Sequence, residues 1–259
     1  MDQDIYLEAA RLAENGEPGV IATIVESNGS TPRSTGSKML VRKDGSIVGS
    51  IGGGAIELAV IKEAQRRMYS NEPYMLEYTL DINGNLGMAC GGDAKVYIEP
   101  LHSSPKLFIF GAGHIGYHLS KMASHCDFTI VMVDDRAEYA NEERYPEASK
   151  IVVGPYPGIC EKLNINENSY VVIATHGHGG DKDVLAQTIP LKPKYLGMIG
   201  SKSKNEFVYG QLKEQGFKDE DFKGLYTPIG LHIKAKSPEE IAVAILAELI
   251  SVKHADDSK

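Results

Sequence analysis

The chain has 259 residues, 42% of them hydrophobic, with 27 Lys and Arg against 35 Asp and Glu and a formal charge of −8. That length sustains one large domain or two modest ones, each able to bury a core, and two is the reading adopted. The acidic balance argues against a nucleic-acid partner, because no basic face could neutralise many phosphates without an offsetting acidic one.

No apolar run approaches the roughly 20 residues that cross a bilayer. The N-terminus, Met1-Asp-Gln-Asp-Ile5, lacks the basic and apolar layout of a signal peptide. A cytoplasmic protein with no membrane partner is expected. Three cysteines, Cys90, Cys126 and Cys160, are an odd number at wide spacing, which suggests neither a disulfide framework nor a zinc motif.

Residues 3–15 place Ile5, Leu7, Ala9, Leu12 and Ala13 among acidic neighbours, and Asn15-Gly16 follows as a stop, which predicts an amphipathic helix. Val20 to Val25 reads as a buried strand. Ser27 to Lys38 reads as a loop of small and hydroxyl residues holding two cations, Arg33 and Lys38. A hairpin is expected from Met39 to Val48, with Asp44-Gly45 as a type I′ turn. It runs into Gly49-Ser-Ile-Gly52-Gly53-Gly54 and then a helical pattern from Ala55. A glycine-rich junction of strand and helix stacks N–H groups at a helix N-terminus, which is an anion-binding geometry. Both flanks of the hairpin lie at one end of the small domain, so Arg33, Lys38 and Gly52 to Gly54 form a candidate anion surface; a solvated loop is the plainer alternative.

Strands are expected at 74–80 and 94–98, with Gly87-Met-Ala-Cys90-Gly-Gly92 between them. The flanking glycines leave the Cys90 thiol little cover. It reads as a nucleophile, a sulfur carrier or a soft-metal ligand, or else as a turn cysteine without a role. Glu99 to Pro105 has a linker composition, which sets the division at residues 1–101, an α+β domain, and 106–259.

The second half alternates strands, at 106–110, 128–133, 150–153, 169–174 and 194–199, with helices at 115–125, 181–188, 202–215 and 238–252. This is the pattern of an α/β fold, a Rossmann-like doubly wound parallel sheet. Its first strand, Lys106-Leu-Phe-Ile-Phe110, ends in Gly111-Ala-Gly113-His-Ile-Gly116. In a nucleotide site Gly111 permits the sharp turn, Gly113 lets the backbone approach a pyrophosphate, and Gly116 lets helix and strand pack closely. Asp134, ending the second strand 23 residues beyond Gly111, is the expected ribose acceptor. A purely structural glycine turn remains the alternative. Two further strand ends carry candidates: Thr175-His176-Gly-His178-Gly-Gly-Asp181 and Gly200-Ser201-Lys202. His176, His178 and Asp181 form at most half a metal site. The functional reading has His176 as a donor or general acid over the nucleotide.

The ordered set GSTPR, GSKMLV, GSIGGGAIE, MACGG, FGAGHIG, VDDR, THGHGGD, YLGMIGSKSK and PIGLHIKAKSPEEIAVAILAE, from Val20 to Glu248, resembles the XdhC/CoxI family, the xanthine dehydrogenase accessory factors. The resemblance implies a dimeric protein that binds the molybdenum cofactor, molybdopterin or its dinucleotide form. It also implies assistance to a cysteine desulfurase that replaces an oxo ligand by sulfide, and delivery to a molybdenum hydroxylase of the xanthine dehydrogenase type. On this reading Gly52 to Gly54, Arg33 and Lys38 cradle the pterin phosphate, Cys90 contacts molybdenum, and Gly111, Gly113, Gly116 and Asp134 hold a dinucleotide tail. The two domains are expected to form a cleft around it. The sequence departs from the family pattern at His232 and Lys234, where Asp and Gly are usual, and at Lys202, where Arg is usual. A second reading, from a different class, is an NAD(P)-dependent oxidoreductase with His176 as its acid/base.

Overall fold

Burial alternates at period two over residues 74–79 and 92–100 of the first half, whereas residues 19–24 and 39–41 are buried almost without a break. In the computed structural model, which describes residues 2–29, 33–70, 72–79, 92–101 and 104–255, the chain divides into two units, Met1–Ser103 and Ser104–Lys259. The first holds an antiparallel sheet of β1 (Gly19–Gly29), β2 (Lys38–Arg42), β3 (Ile47–Gly49), β4 (Tyr74–Thr79) and β5 (Gly92–Pro100), in the order β3-β2-β1-β5-β4. Val20, Ala22 and Ile24 of β1 pack with Ile56, Val60 and Ala64 of helix α2 (Gly54–Arg66). Ile21 and Leu40 turn the other way, onto Ile5 and Leu12 of helix α1 (Asp2–Asn15). Each face of the sheet therefore has its own helix.

Three expectations for this unit are corrected. The strand does not stop at Val25. After a register shift between Ile24 and Glu26, β1 continues through Ser27, Asn28 and Gly29, paired with Ala94, Asp93 and Gly92. The shift is a β-bulge, which admits an extra residue and lets polar side chains follow on a backbone that stays paired. Glu99 and Pro100, expected in a linker, end β5 opposite Ile21 and Val20; β4 pairs with β5 only as far as Ile98, so no β4 residue lies opposite Pro100 to need its missing N–H. The hairpin turn lies one residue earlier than a type I′ turn at Asp44-Gly45. Gly45 N–H donates to Arg42 O and Arg42 N–H to Ser46 O, each at 2.9 Å, and only Gly45 of the pair has positive φ. That is a type I turn closed by a glycine bulge. Asp44 Oδ1 instead accepts from Ser46 N–H at 2.9 Å.

The second unit is an α/β doubly wound fold. Its strands β6 (Lys106–Phe110), β7 (Thr129–Asp134), β8 (Lys150–Val153), β9 (Tyr170–Ile173) and β10 (Tyr195–Met198) are all parallel, in the order β10-β9-β6-β7-β8. Alternate residues serve two cores. Phe108, Phe110, Val171 and Ile173 pack against helices α4 (His178–Thr188) and α5 (Lys202–Glu214). Leu107, Ile109, Met132 and Val172 pack against α3 (His114–Ser124) and α6 (Pro238–Lys253). Burial on both faces is why these strands read as continuous apolar runs. The order reverses between β6 and β9, so the crevice for a ligand opens at their carboxyl ends. No helix among the described residues is long and apolar enough to cross a membrane.

Two features of the fold are open to direct test. Lys234 has φ +61°. A side chain in that left-handed region costs about 1 kcal/mol or more, partly offset by the extra unfolded-state freedom of glycine. Lys234→Gly is expected to raise stability by about 0.5 kcal/mol and Lys234→Ala to give no such gain, read by chemical denaturation. In the first unit, hydrogen bonds from Arg11 and Arg42 lower the Glu8 pKa from 4.5 to about 2, and the Arg42 Nε contact, at 2.7 Å, ties α1 to β2. A depressed carboxylate stabilises above its unfolded pKa and loses that contribution as pH falls through the folded one. Glu8→Gln is expected to melt below the wild type near neutrality, with the gap closing as pH falls from 4.5 toward about 2.

Candidate functional site

The carboxyl edge of the parallel sheet gathers most of the expected residues of the second unit. At the end of β6, Gly111 has φ +117°, and a Cβ placed there would stand 2.0 Å from Ala174 O at the end of β9. A Cβ on Gly116 would stand 2.1 Å from Gly111 O. Both positions exclude a side chain. Gly113 differs, because nothing lies within 4 Å of its Cβ direction. It is the N-cap of α3 and its backbone is extended, so glycine leaves open space over a helix N-terminus rather than relieving strain. A helix N-terminus attracts anions through its unpaired N–H groups and dipole.

At the end of β7, Asp134 is fully buried, and Oδ2 accepts from Ala112 N–H at 2.6 Å. Oδ1 accepts from Arg136 N–H at 3.0 Å and Nε at 2.9 Å, and Arg136 Nη2 reaches Oδ2 at 3.1 Å. Burial alone would raise this carboxyl, but the hydrogen bonds from Arg136 and Ala112 outweigh it and the pKa lies below the ordinary value. The expectation that Asp134 accepts from a ribose is corrected: both its oxygens are engaged inside the protein. Asp135, 32% exposed, is the carboxylate of this strand end that meets solvent. Tyr156 is close to it. Its buried Oη has no hydrogen-bond partner of good geometry, although the Asp135 N–H is close by. Burial, with Asp134 and Asp135 adding to it, pushes that phenol well above its ordinary pKa.

The end of β9 separates the residues expected to act together. Asp181 is fully buried in the first turn of α4, where Oδ1 accepts from Thr175 N–H at 3.1 Å and Thr175 Oγ1 at 2.7 Å. Its other oxygen pairs with Lys204 Nζ, which also donates to Ile199 O at 3.1 Å. The three-way grouping of His176, His178 and Asp181 is thereby corrected, since Asp181 faces inward to brace β9, α4 and α5. His176 is exposed and approaches Asp135 instead, Nδ1 to Oδ1 3.6 Å. Asp134, Asp135 and His176 are the one group among the described residues whose atoms could share a metal ion, all within 4.8 Å. Arg136 Nε already lies 2.9 Å from Asp134 and 3.6 Å from Asp135, so a guanidinium supplies the charge that a metal would bring. At the end of β10, a Cβ on Gly200 would meet Asn205 Oδ1 at 2.3 Å, and Ser201 Oγ caps α5 by accepting from Lys204 N–H at 3.3 Å.

In the first unit, Arg33 and Lys38 line one cavity of about 300 Å³ with Ser34, Thr35, Ser37 and Ser50. Lys38 Nζ donates to Thr23 Oγ1 at 3.0 Å. The neighbouring glycine junction is not an open cradle. Glu57 Oε2, from the first turn of α2, accepts from Ser50 Oγ at 2.6 Å and from the N–H groups of Ile51 and Gly53, each at 3.2 Å. Gly52 N–H turns to Ser50 Oγ at 3.1 Å. An incoming anion at Gly52 to Gly54 would therefore meet a carboxylate, which corrects the expected phosphate role of these three glycines. Cys90 lies outside the described residues.

Sequence reasoning passed over Asp135, Lys204 and Glu57. Glu57 had a signal, an acid in the first turn directly after the glycines. Lys204 was obscured by Lys202, and Tyr156, between Pro155 and Pro157, carried none.

A parallel sheet wound 3-2-1-4-5 in chain order, with a glycine turn at its centre and an acid closing the next strand, defines a Rossmann domain, here following an α+β unit. The chain belongs to the XdhC family: the XdhC Rossmann domain matches residues 107–249, and the XdhC and CoxI family matches residues 12–79. It is 35% identical over 254 residues to the uncharacterized protein YqeB of Escherichia coli (strain K12), covering 97% of this chain but 46% of YqeB, so it spans less than half of that relative. It is 22% identical to a probable xanthine dehydrogenase subunit of Bacillus subtilis (strain 168), covering 93% of this chain and 95% of that protein. It is 24% identical to the molybdenum cofactor insertion chaperone PaoD of Escherichia coli (strain K12), covering 92% and 85%. Among solved structures, a xanthine dehydrogenase from Bacillus halodurans aligns with a TM-score of 0.54 at 25% identity, over 97% of this chain and 96% of that one.

The unequal glycines of the β6 turn make a paired test. Gly111→Ala is expected to cost about 3 kcal/mol or more, from backbone strain and the clash with Ala174. Gly113→Ala should shift stability by no more than about 0.5 kcal/mol. Urea denaturation of the two variants measures the difference.

Proposed function

We propose that this chain is a maturation factor that binds the molybdenum cofactor as cargo, supports its sulfuration by a cysteine desulfurase and delivers it to a molybdenum hydroxylase of the xanthine dehydrogenase type. Kinship with the insertion chaperone PaoD supports the cargo, and kinship with a probable xanthine dehydrogenase subunit supports the recipient. The observation in the fold that carries the reading is Gly113, a bare N-cap with open space before it at the switch point of a doubly wound sheet. A phosphate-bearing ligand suits that place, because α3 presents unpaired N–H groups to it and no side chain of this position intrudes.

The residues fit such a cargo in part. Gly111, Gly113 and Gly116 shape the turn for the pyrophosphate of a dinucleotide form, and Gly200 and Ser201 border the same edge. Arg33 and Lys38 supply two cations, against the single carboxylate of Asp2, to a cavity of about 300 Å³ lined also by Ser34, Thr35, Ser37 and Ser50, which suits a terminal phosphate. Cys90 offers a soft ligand for molybdenum, and His176, exposed beside Asp135, offers a proton donor at the nucleotide end. The donor set is one that grips and positions; the redox chemistry belongs to the cargo once it reaches its hydroxylase. A homodimer in solution accords with the same reading.

Full-length protein incubated with isolated molybdenum cofactor and then desalted is expected to retain molybdenum, measured by elemental analysis. Cys90→Ala should lower that retention or abolish sulfide transfer to a recipient hydroxylase. Gly113→Ala should weaken the dinucleotide form about tenfold, or about 1.4 kcal/mol, and leave the mononucleotide form unchanged. A wild-type protein that retains no molybdenum would remove the proposal.

A further inference from the structure

The core on the α4–α5 face of the parallel sheet is left open at the amino-terminal end of β10. Leu196, the second residue of that strand, belongs to this core and is buried, whereas Ile189 and Leu225 pack against it only in part. A cavity of about 440 Å³ lies between them. One wall is the turn at Ile189–Leu191 with the residues that follow it, and the other is the turn at Asp219–Phe222 with Lys223 to Leu225.

The backbone accounts for the opening. The chain after the second turn joins β10 at Tyr226, which donates to Leu196 O at 3.0 Å and accepts from Met198 N–H at 3.2 Å. One residue earlier, Leu225 N–H turns back to Phe222 O at 3.4 Å, and Gly224 has φ +84°. The pairing therefore does not extend along the space beside Leu196. On the opposite wall Lys192 has φ +48°, a left-handed conformation that disfavours a residue with a side chain. Strain of this kind is kept most often where a ligand is held.

The rim is charged and balanced. Lys192 and Lys223 supply two cations, and Glu220 and Asp221 two carboxylates. Among the described residues no ion pair joins these four side chains. Asp221 Oδ2 accepts from Lys218 N–H at 2.7 Å, and the nearby Asp219 is answered by Lys213 at 2.5 Å. Lys194 and Lys218, which do not line the cavity, leave its surroundings slightly cationic. A simple anion or cation entering here is attracted by one pair and repelled by the other. A ligand of both signs answers both, and an apolar body on it covers Leu196, Ile189 and Leu225.

We propose that this cavity binds a small zwitterion with an aliphatic body, the chemistry of a free branched-chain amino acid. Its carboxylate faces Lys192 and Lys223, and its ammonium faces Glu220 and Asp221. The volume is within the range of small-molecule pockets, about 300 to 1,000 Å³. The site shares no residue with the glycine turn, so its fate is separate from that of the cofactor reading.

The test is a titration of the isotope-labelled full chain with L-leucine, followed by two-dimensional NMR of the amides. Two analogues, 4-methylpentanoate and 3-methylbutylamine, keep the aliphatic body and lose one charge each. L-leucine is expected to shift the amides of Leu196, Gly224 and Leu225 with a Kd of about 1 mM, as befits so few heavy atoms. Each analogue should bind at least about threefold more weakly, the effect of one exposed ion pair. In the double variant Lys192→Met/Lys223→Met the affinity for L-leucine should fall to that of the amine, and in Glu220→Gln it should fall toward that of the carboxylate. Because the surroundings are slightly cationic, 4-methylpentanoate is the more searching control. Should a variant fail to fold, as a melting curve would reveal, the wild-type series still decides. No shift of these amides by about 20 mM L-leucine, or shifts confined to the carboxyl edge of the sheet, would overturn the site. An analogue that binds as tightly as L-leucine would overturn the zwitterion.

Discussion

The second unit depends on one buried carboxylate. Asp134 ends β7 and accepts from Ala112 N–H in the turn after β6, so it binds together the two neighbouring strand ends from which the candidate site is built. A charge in that position must be answered by a cation and by hydrogen bonds, or its desolvation would be prohibitive. Arg136 provides both from two residues away in the chain. The arrangement gives the glycine turn a fixed height above the sheet, and the N-terminus of α3 then meets solvent at Gly113.

The first unit uses a related device to the opposite effect. Both units have a glycine-rich junction between a strand and a helix, and both bring an internal carboxylate to the N–H groups there. In the second unit the carboxylate reaches Ala112, one residue ahead of the N-cap, and the helix end stays open. In the first, Glu57 reaches Gly53, the N-cap of α2 itself, and Ile51. It answers the dipole of its own helix and the donors that an external anion would need. The cations Arg33 and Lys38 lie apart from that junction, in the adjoining cavity, which Asp2 also lines.

How much of this was legible follows from what each signal encodes. The strands of the second unit were legible because burial on both faces leaves continuous apolar runs, and α6 because Ser237 and Glu240 form a capping box behind Pro238. Ser27 to Gly29 and Glu99-Pro100 were not, because their place in the sheet is set by backbone pairing between β1 and β5 and not by side-chain type. The family was legible from the order of its motifs along the chain. Within the site, the glycines were legible as glycines, but which of them avoid a clash and which leave a space depends on Ala174 and Gly111 O, atoms brought close only by the fold. The same holds for the acids: Asp134 and Asp135 are identical in type, and only burial separates the one that braces from the one that faces solvent.

The strand order carries a further meaning for how the chain acquires this site. β6 lies between β7, reached by the next helical crossover, and β9, some sixty residues downstream. Loop closure favours the nearer partner. The β6-α3-β7 segment can thus form its Asp134–Ala112 contact early in synthesis, as a local unit. The close approach of Gly111 to Ala174 waits for β9 to emerge and dock. Until then the glycine turn is held from one side only, and the crevice at the switch point has no second wall. The carboxyl edge of the sheet at the switch point is therefore complete only once β9 has docked beside β6.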